Sequence, residues 1–160
     1  MHRISRQTCY TILNLTVLAA LLVFIFGNSL QPRAASTRQS LGTLAVLTEL
    51  LNRLTGHSNL TEHFVRKLAH FSEFAALGFF TIHLCAVRLR VQWHFVLHSL
   101  FFGLVCAVTD ESLQLLSDRS AQVPDVLLDF SGVLCGTAVF LLLYAVRHRR
   151  TLLPHFFPRH

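Results

Sequence analysis

Apolar residues run along this chain in four stretches, each close to the length that a helix needs to cross a lipid bilayer. A hydrocarbon core about 30 Å thick requires about 20 mostly apolar residues per helix. The pattern predicts transmembrane helices over about 9–26, 64–87, 95–116 and 126–146. The third and fourth stretches are joined by the short polar turn SDRSAQVPD. We therefore expect these two helices to form an antiparallel hairpin.

Between Pro32 and Gly56 the pattern is different. The segment LGTLAVLTELLNRL has apolar residues at helical spacing but is too short and too polar to span. It predicts an amphipathic helix that lies at the membrane interface. The first stretch has an alternative interpretation as a cleaved signal sequence, because Arg3 and Arg6 precede it and RAAS follows. The predicted fold class is all-α: a polytopic, four-transmembrane-helix bundle with one interfacial helix, forming a single integral membrane domain over 1–160.

Composition agrees with this class and excludes several others. The chain is 52% hydrophobic and only 14% charged, which is too apolar for an ordinary soluble domain. Its formal net charge is +6, but the arginines are scattered at the ends of apolar runs, so we expect no nucleic-acid partner. The four cysteines show no C-x-x-C spacing and lie in apolar runs, which argues against a disulfide framework.

Arginine placement gives the orientation of the spans. Lys and Arg concentrate on the cytoplasmic side of membrane proteins. Placing both termini in the cytoplasm puts more of these cations inside than outside, and the cluster RHRR after the last span strengthens the bias. We expect both termini to be cytoplasmic.

In this orientation, polar residues on three spans lie at one depth near the outer surface. Charged side chains inside a membrane are costly and normally face a bundle interior or a wet cavity. A single shared site is therefore expected, and its candidate catalytic or binding residues are Lys67, His70, Glu73, Asp110, Glu111, Gln114, Asp125 and Asp129.

The last span carries a stripe that should bring its carboxylates to a partner helix. Asp125, Asp129, Gly132 and Gly136 recur at i, i+4, i+7 and i+11 on one helix face. The two glycines have the small-xxx-small spacing that lets helix backbones approach closely.

Six of the eight acidic residues lie at or near the outer ends of the predicted spans, where the cations are Arg66, Lys67 and Arg119. Crowded carboxylates in poorly solvated surroundings must share protons or bind a cation. A divalent cation held by His70 and carboxylates is one alternative, although no signature such as H-E-x-x-H is present. Another is a salt-bridged network that only fixes helix register. We expect His83, His94 and His98 to be isolated interfacial residues without a chemical role.

Four segments resemble the VanZ-like family of small bacterial membrane proteins. They are FGNSLQPRAAS after the first span, RKLAHFSEF in the second, DESLQ in the third and DRSAQVPDVLLDFSGVLCG leading into the fourth. Leu113 and Asp118 stand where the family often has histidine and glycine. The resemblance places the eight candidate residues, and also Arg119, on family motif positions. It implies a bacterial cytoplasmic (inner) membrane protein with a link to resistance against the glycopeptide teicoplanin.

Two functions follow from the site, and they differ in class. In the first, the protein binds or modifies an amphipathic envelope lipid or lipid-linked molecule outside the membrane. Lys67 and Arg119 would hold a phosphate, His70 would act as acid or base, and the carboxylates would orient it or hold a cation. In the second, the protein is a proton-linked or ion-linked transport component, or an accessory protein with a structural cluster. Four spans without a repeat are few for a transporter, so transport would require a homo-oligomer.

Overall fold

The structure is a computed structural model that describes residues 6–55, 60–88, 91–117 and 122–152. The regular elements in these ranges are all helices: α1 (Arg6–Ser29), α2 (Arg33–Thr55), α3 (Glu62–Arg88), α4 (Trp93–Leu115) and α5 (Val123–Leu152). All but α2 are long and apolar enough to cross a membrane. The all-α class and the four predicted spans are confirmed, while the interfacial position of α2 stays a prediction.

The helices are longer than the apolar stretches that predicted them. The first stretch was predicted from 9 to 26, whereas α1 extends over Arg6–Ser29. Backbone hydrogen bonding continues into the polar flanks, because a helix requires no apolar side chain once its first turn has formed. This extension matters for the site, since it adds Asn28 and Ser29 to the end of α1.

Local chemistry sets two of the helix boundaries. Pro32 lacks an N–H group and cannot continue α1. Its carbonyl oxygen accepts hydrogen bonds from the Ala35 and Ser36 amides, at 2.9 and 3.1 Å, in the first turn of α2. At the start of α3, the Thr61 hydroxyl oxygen accepts a hydrogen bond from the Phe64 amide at 3.2 Å, as an N-cap residue does.

The most extensive helix contact is between α3 and α5, which run parallel. A Cβ atom added to Gly136 would overlap the carbonyl oxygen of Ala75, and one added to Gly132 would lie 2.5 Å from that of Phe71. Only glycine permits this approach of the two backbones. The prediction that the α5 stripe faces a partner helix is confirmed, and the partner is α3.

Helices α1 and α4 run antiparallel to this pair. Gln7 donates a hydrogen bond to the carbonyl oxygen of Val87 at 3.1 Å, which joins the start of α1 to the end of α3. At the opposite end of the bundle, the Gln122 amide before α5 donates to Glu111 of α4 at 3.1 Å. The predicted α4–α5 hairpin is therefore confirmed. We call the end at which α1 and α4 finish and α3 and α5 begin the polar end.

An apolar core lies directly beneath the polar end. Ile25 of α1, Phe74 and Leu77 of α3, Ala107 of α4 and Val133 of α5 are fully buried and belong to one cluster. Interhelical contacts of this kind hold a membrane bundle together by van der Waals packing. The core closes the bundle below the polar residues.

Large apolar side chains cover the outside of the bundle. Val23, Phe101 and Leu142 are 74%, 68% and 64% exposed, and they lie on three different spans. A surface of this composition is typical of helices that face lipid tails. The bundle thus buries polar groups near one end and presents apolar groups outward.

Candidate functional site

Asp110 lies at the centre of the polar end and is fully buried on α4. One of its carboxylate oxygens accepts a hydrogen bond from the Ser29 hydroxyl at the end of α1. The other accepts from the Gln114 side-chain amide at 2.9 Å. Because both oxygens have donors, the position and orientation of this carboxylate are fixed.

His70 of α3 points between two carboxylates. Its Nδ1 atom lies 3.7 Å from Oδ2 of Asp110 and 3.8 Å from Oδ1 of Asp129. Both distances are too long for direct hydrogen bonds, which end near 3.2 Å. The three groups come from three helices and converge on one small space.

Asp129 of α5 differs sharply from Asp110. It is 1% exposed, and neither of its carboxylate oxygens has a hydrogen-bond partner among the described residues. Burying a carboxylate without hydrogen-bond donors costs free energy, because the group loses its hydration and no hydrogen bond replaces it. Binding of a proton, a cation or a ligand would therefore stabilise the Asp129 carboxylate.

Glu73 lies one turn further along α3, beside α1. Its Oε1 atom is 3.5 Å from the side-chain nitrogen of Asn28, a weak contact at the limit of hydrogen bonding. Its second oxygen is buried and has no hydrogen-bond partner within the described part of the chain. Glu73 adds a third carboxylate to the inner part of the polar end.

Glu111 has a structural contact as well as a place in the site. It is 4% exposed and accepts hydrogen bonds from Gln114 Nε2 at 2.9 Å and from the backbone amide of Gln122 at 3.1 Å. The second bond satisfies an amide at the start of α5, where helix N–H groups lack intrahelical partners. Glu111 therefore ties the end of α4 to the start of α5.

The rim of the site carries two ion pairs. Lys67 Nζ lies 3.2 Å from Oδ1 of Asp125, and Arg66 lies 3.6 Å from Glu62. Each side chain in these pairs retains between 28% and 37% of its exposure, so water screens them. Partly exposed pairs are weak, and an incoming anion can compete with their carboxylates.

A cavity opens at the polar end among α3, α4 and α5, and we call it the hairpin cavity. It encloses about 640 Å³, its open mouth included. Arg66 and Lys67 lie at its rim, while Asp129 lines its inner part. Its other lining residues are His63, His70, Glu111, Gln114, Gln122, Asp125 and Leu128.

A second cavity, the α2 cavity, lies on the other side of α3 and encloses about 490 Å³, its mouth included. The polar residues of α2 that line it are Ser36, Gln39, Ser40 and Thr43. Asn28, Glu73, Arg66 and His70 line it from α1 and α3. Arg66 and His70 therefore border both cavities, and α2 covers one side of the polar end.

Six of the eight candidate residues predicted on the three later spans line the hairpin cavity. Asp110 lies behind it, against Gln114 and His70, and Glu73 lines the α2 cavity. Arg119, which was predicted with Lys67 to hold a phosphate, lies outside the described residues, as does Asp118. The predicted site residues lay on three spans and included none on α1 or α2. Asn28 and Ser29 of α1 contact Glu73 and Asp110, and α2 adds a polar flank. A signal was present in the sequence, since Asn28 and Ser29 are polar residues directly after the apolar run of the first span.

The prediction for His83 was wrong in one respect. Its Nδ1 atom lies 2.9 Å from the side-chain nitrogen of Asn14, within the bundle and far from the polar end. Its ring also packs 5.6 Å from that of Phe140, centroid to centroid. His83 is therefore an inter-helix contact and not an isolated interfacial residue. The apolar core lies between this pair and the polar end.

Comparison with known proteins identifies one match. Residues 14–144 match the sequence model of the family described as VanZ/LLP1. The matched range includes all four spans in whole or in part. Among curated proteins and among solved structures, nothing matches the chain.

Proposed function

The chain belongs to the VanZ/LLP1 family, and from that premise and the geometry of the polar end we propose that it binds the head group of an amphipathic envelope lipid or lipid-linked molecule. The hairpin cavity carries this proposal, because it combines cations at its rim with carboxylates deeper in a bundle that is otherwise apolar. A molecule with a polar head and an apolar tail matches both surfaces at once.

The rim supports a ligand that contains phosphate. Lys67 and Arg66 hold partly exposed side chains at the mouth of the cavity, and both are paired with carboxylates that a phosphate can replace. Charge-assisted hydrogen bonds to phosphate oxygens are stronger than neutral ones. We include Arg119 among the proposed phosphate ligands, because it lies in the motif DRSAQVPDVLLDFSGVLCG. The carboxylates below would orient hydroxyl or amine groups of the head group.

The proposed location follows from the same features. We place the chain in the bacterial cytoplasmic membrane with both termini in the cytoplasm, so that the polar end faces outward. This orientation keeps RHRR on the cytoplasmic side. The family link to glycopeptide resistance, which the resemblance implies, is consistent with a site on the envelope side.

Ion-linked or proton-linked transport is the alternative function. A transport path requires polar groups or water through the thickness of the membrane. Phe74, Leu77 and Val133 are fully buried between the polar end and the Asn14–His83 pair. This apolar layer favours a site that opens to one side.

The test measures lipids that remain bound to the protein after purification in detergent. Mass spectrometry would compare the parent with Lys67→Gln and with the control Arg53→Gln, whose side chain is exposed on α2 and pairs with Glu49. We expect the parent and Arg53→Gln to retain one phosphate-bearing lipid class above its membrane abundance. We expect Lys67→Gln to retain at least about tenfold less, as the loss of one hydrogen bond to a charged group predicts. Identical lipid profiles in all three proteins would overturn the proposal.

A further inference from the structure

We propose that His70, Asp110 and Asp129 form a binding site for a divalent transition-metal ion, of which Zn²⁺ and Mn²⁺ fit the donor set best. One atom from each of these side chains lies within 4.8 Å of the other two. His70 and Asp129 line the hairpin cavity and Asp110 lies behind them, and the inference does not depend on which molecule occupies the cavity.

The distances suit an ion better than direct contacts. Nδ1 of His70 is 3.7 Å from Asp110 and 3.8 Å from Asp129, beyond hydrogen-bond range. Two ligands of one ion, each bound at about 2.1 Å, lie up to about 4.2 Å apart. Small side-chain rotations would therefore bring all three atoms into one coordination shell.

Asp129 provides independent evidence for a ligand at this place. It is 1% exposed, it faces the hairpin cavity, and its two oxygens have no hydrogen-bond donor among the described residues. The rim cations do not serve it, because Lys67 pairs with Asp125 and Arg66 pairs with Glu62. A metal ion bound together with His70, whose Nδ1 lies 3.8 Å away, would place a positive charge directly beside this carboxylate.

Asp110 is already held in the orientation that a ligand needs. Ser29 and Gln114 each donate a hydrogen bond to it. Such bonds to a coordinating carboxylate fix its geometry and leave a lone pair for the ion. The carboxylate is thus ordered before an ion arrives.

The backbone places the three ligands with little freedom. His70, Asp110 and Asp129 lie on α3, α4 and α5, and the first and third of these helices are in close contact at Gly132 and Gly136. One imidazole with two carboxylates favours Zn²⁺ or Mn²⁺, since Ca²⁺ and Mg²⁺ prefer sites made only of oxygen. Three protein ligands leave an open position that faces the cavity.

The experiment uses the full chain in detergent. The purification tag contains no histidine, so that it adds no metal ligands to the ten histidines of the chain. After chelation and buffer exchange, the protein is titrated with Mn²⁺ or Zn²⁺, and retained metal is counted by mass spectrometry. The variants are Asp129→Asn and His70→Asn. Asp125→Asn is the matched control, since Asp125 lies one turn from Asp129 on the same helix and pairs with Lys67.

We expect one tightly held ion per chain in the parent and in Asp125→Asn, and at least a tenfold weaker affinity in the other two variants. The ion should also raise the melting temperature of the parent, because it binds only the folded bundle. Pulsed paramagnetic resonance of the Mn²⁺-loaded parent should show coupling to one histidine nitrogen, which keeps the test decisive if a variant does not fold.

A parent that retains no metal and melts at the same temperature with and without it would overturn the site. Equal loss of metal in Asp125→Asn and Asp129→Asn would overturn the choice of ligands. Both results are independent of lipid retention, so this site and the proposed head-group function can fail separately.

Discussion

At the scale of single residues, the two buried aspartates at the polar end have opposite surroundings. Asp110 accepts hydrogen bonds from α1 and from its own helix, whereas Asp129 has none among the described residues. Hydrogen bonds to charged groups are worth about 1.5–3 kcal/mol, and losing one in a buried place costs the desolvation penalty as well. The first aspartate is therefore held in a fixed orientation by protein donors, whereas the second has none of these donors and depends more on a ligand.

The Ser29 hydroxyl is the part of this arrangement that can be removed most cleanly. Ser29→Ala deletes a donor to the fully buried Asp110 without adding volume. We expect it to lower the free energy of unfolding by about 1–3 kcal/mol. Ser131→Ala is the control, since that residue is exposed and its hydroxyl donates to the carbonyl oxygen of Leu128 in its own helix. Equal unfolding curves for the two variants in detergent would contradict the role given to Ser29.

At the scale of helices, close packing of α3 against α5 brings the site together. The glycines of α5 lie against backbone atoms of α3, one and two turns below Asp129. Because the helices are parallel and in close contact, His70 and Asp129 lie at the same level. Lys67 and Asp125 are paired one turn above them. The register of these two helices therefore decides which polar residues face one another.

Gly136→Ala tests this packing. The added Cβ would overlap the carbonyl oxygen of Ala75, a backbone atom that moves only with its helix. Overpacking of this kind costs about 1–3 kcal/mol. Gly42→Ala on α2 is the matched control, because its Cβ would meet nothing within 4 Å. There we expect no loss, and a gain of up to about 1 kcal/mol from helix propensity. Denaturant unfolding of both variants measures the difference, and an equally stable Gly136→Ala would show that the contact is looser.

At the scale of the whole molecule, the bundle is polar at one end and closed by an apolar layer below. Four spans present apolar side chains outward, and the buried acidic side chains Asp110, Glu111 and Asp129 lie at the polar end. The function proposed here requires that end to face outside the cytoplasm. The charge bias and RHRR favour this orientation.

Cysteine labelling tests the orientation. In a background without the four native cysteines, Gln122→Cys places a thiol at the polar end and Trp93→Cys places one at the opposite end. Both positions are exposed. A membrane-impermeant maleimide added to intact cells should label position 122 and not position 93. The reverse pattern would overturn the outward-facing site and, with it, the envelope ligand.

The sequence by itself determined the spans, because the apolar length that a bilayer demands leaves few alternatives in a chain this apolar. It also determined that the polar residues of three spans share one depth, since depth follows from position along a helix. The α5 stripe predicted a helix partner, because only small residues permit backbone contact. These inferences depend on local pattern and needed no knowledge of which helices are neighbours.

Only the tertiary structure decided which helix meets the stripe and how the carboxylates divide their roles. Hydrogen-bond partners such as Ser29 for Asp110 are 81 residues apart in the chain, so no local pattern connects them. The same holds for Asn14 and His83, whose contact overturned the expectation of an isolated histidine. The difference between Asp110 and Asp129 is likewise tertiary, because a carboxylate's burial and donors are set by the helices packed around it.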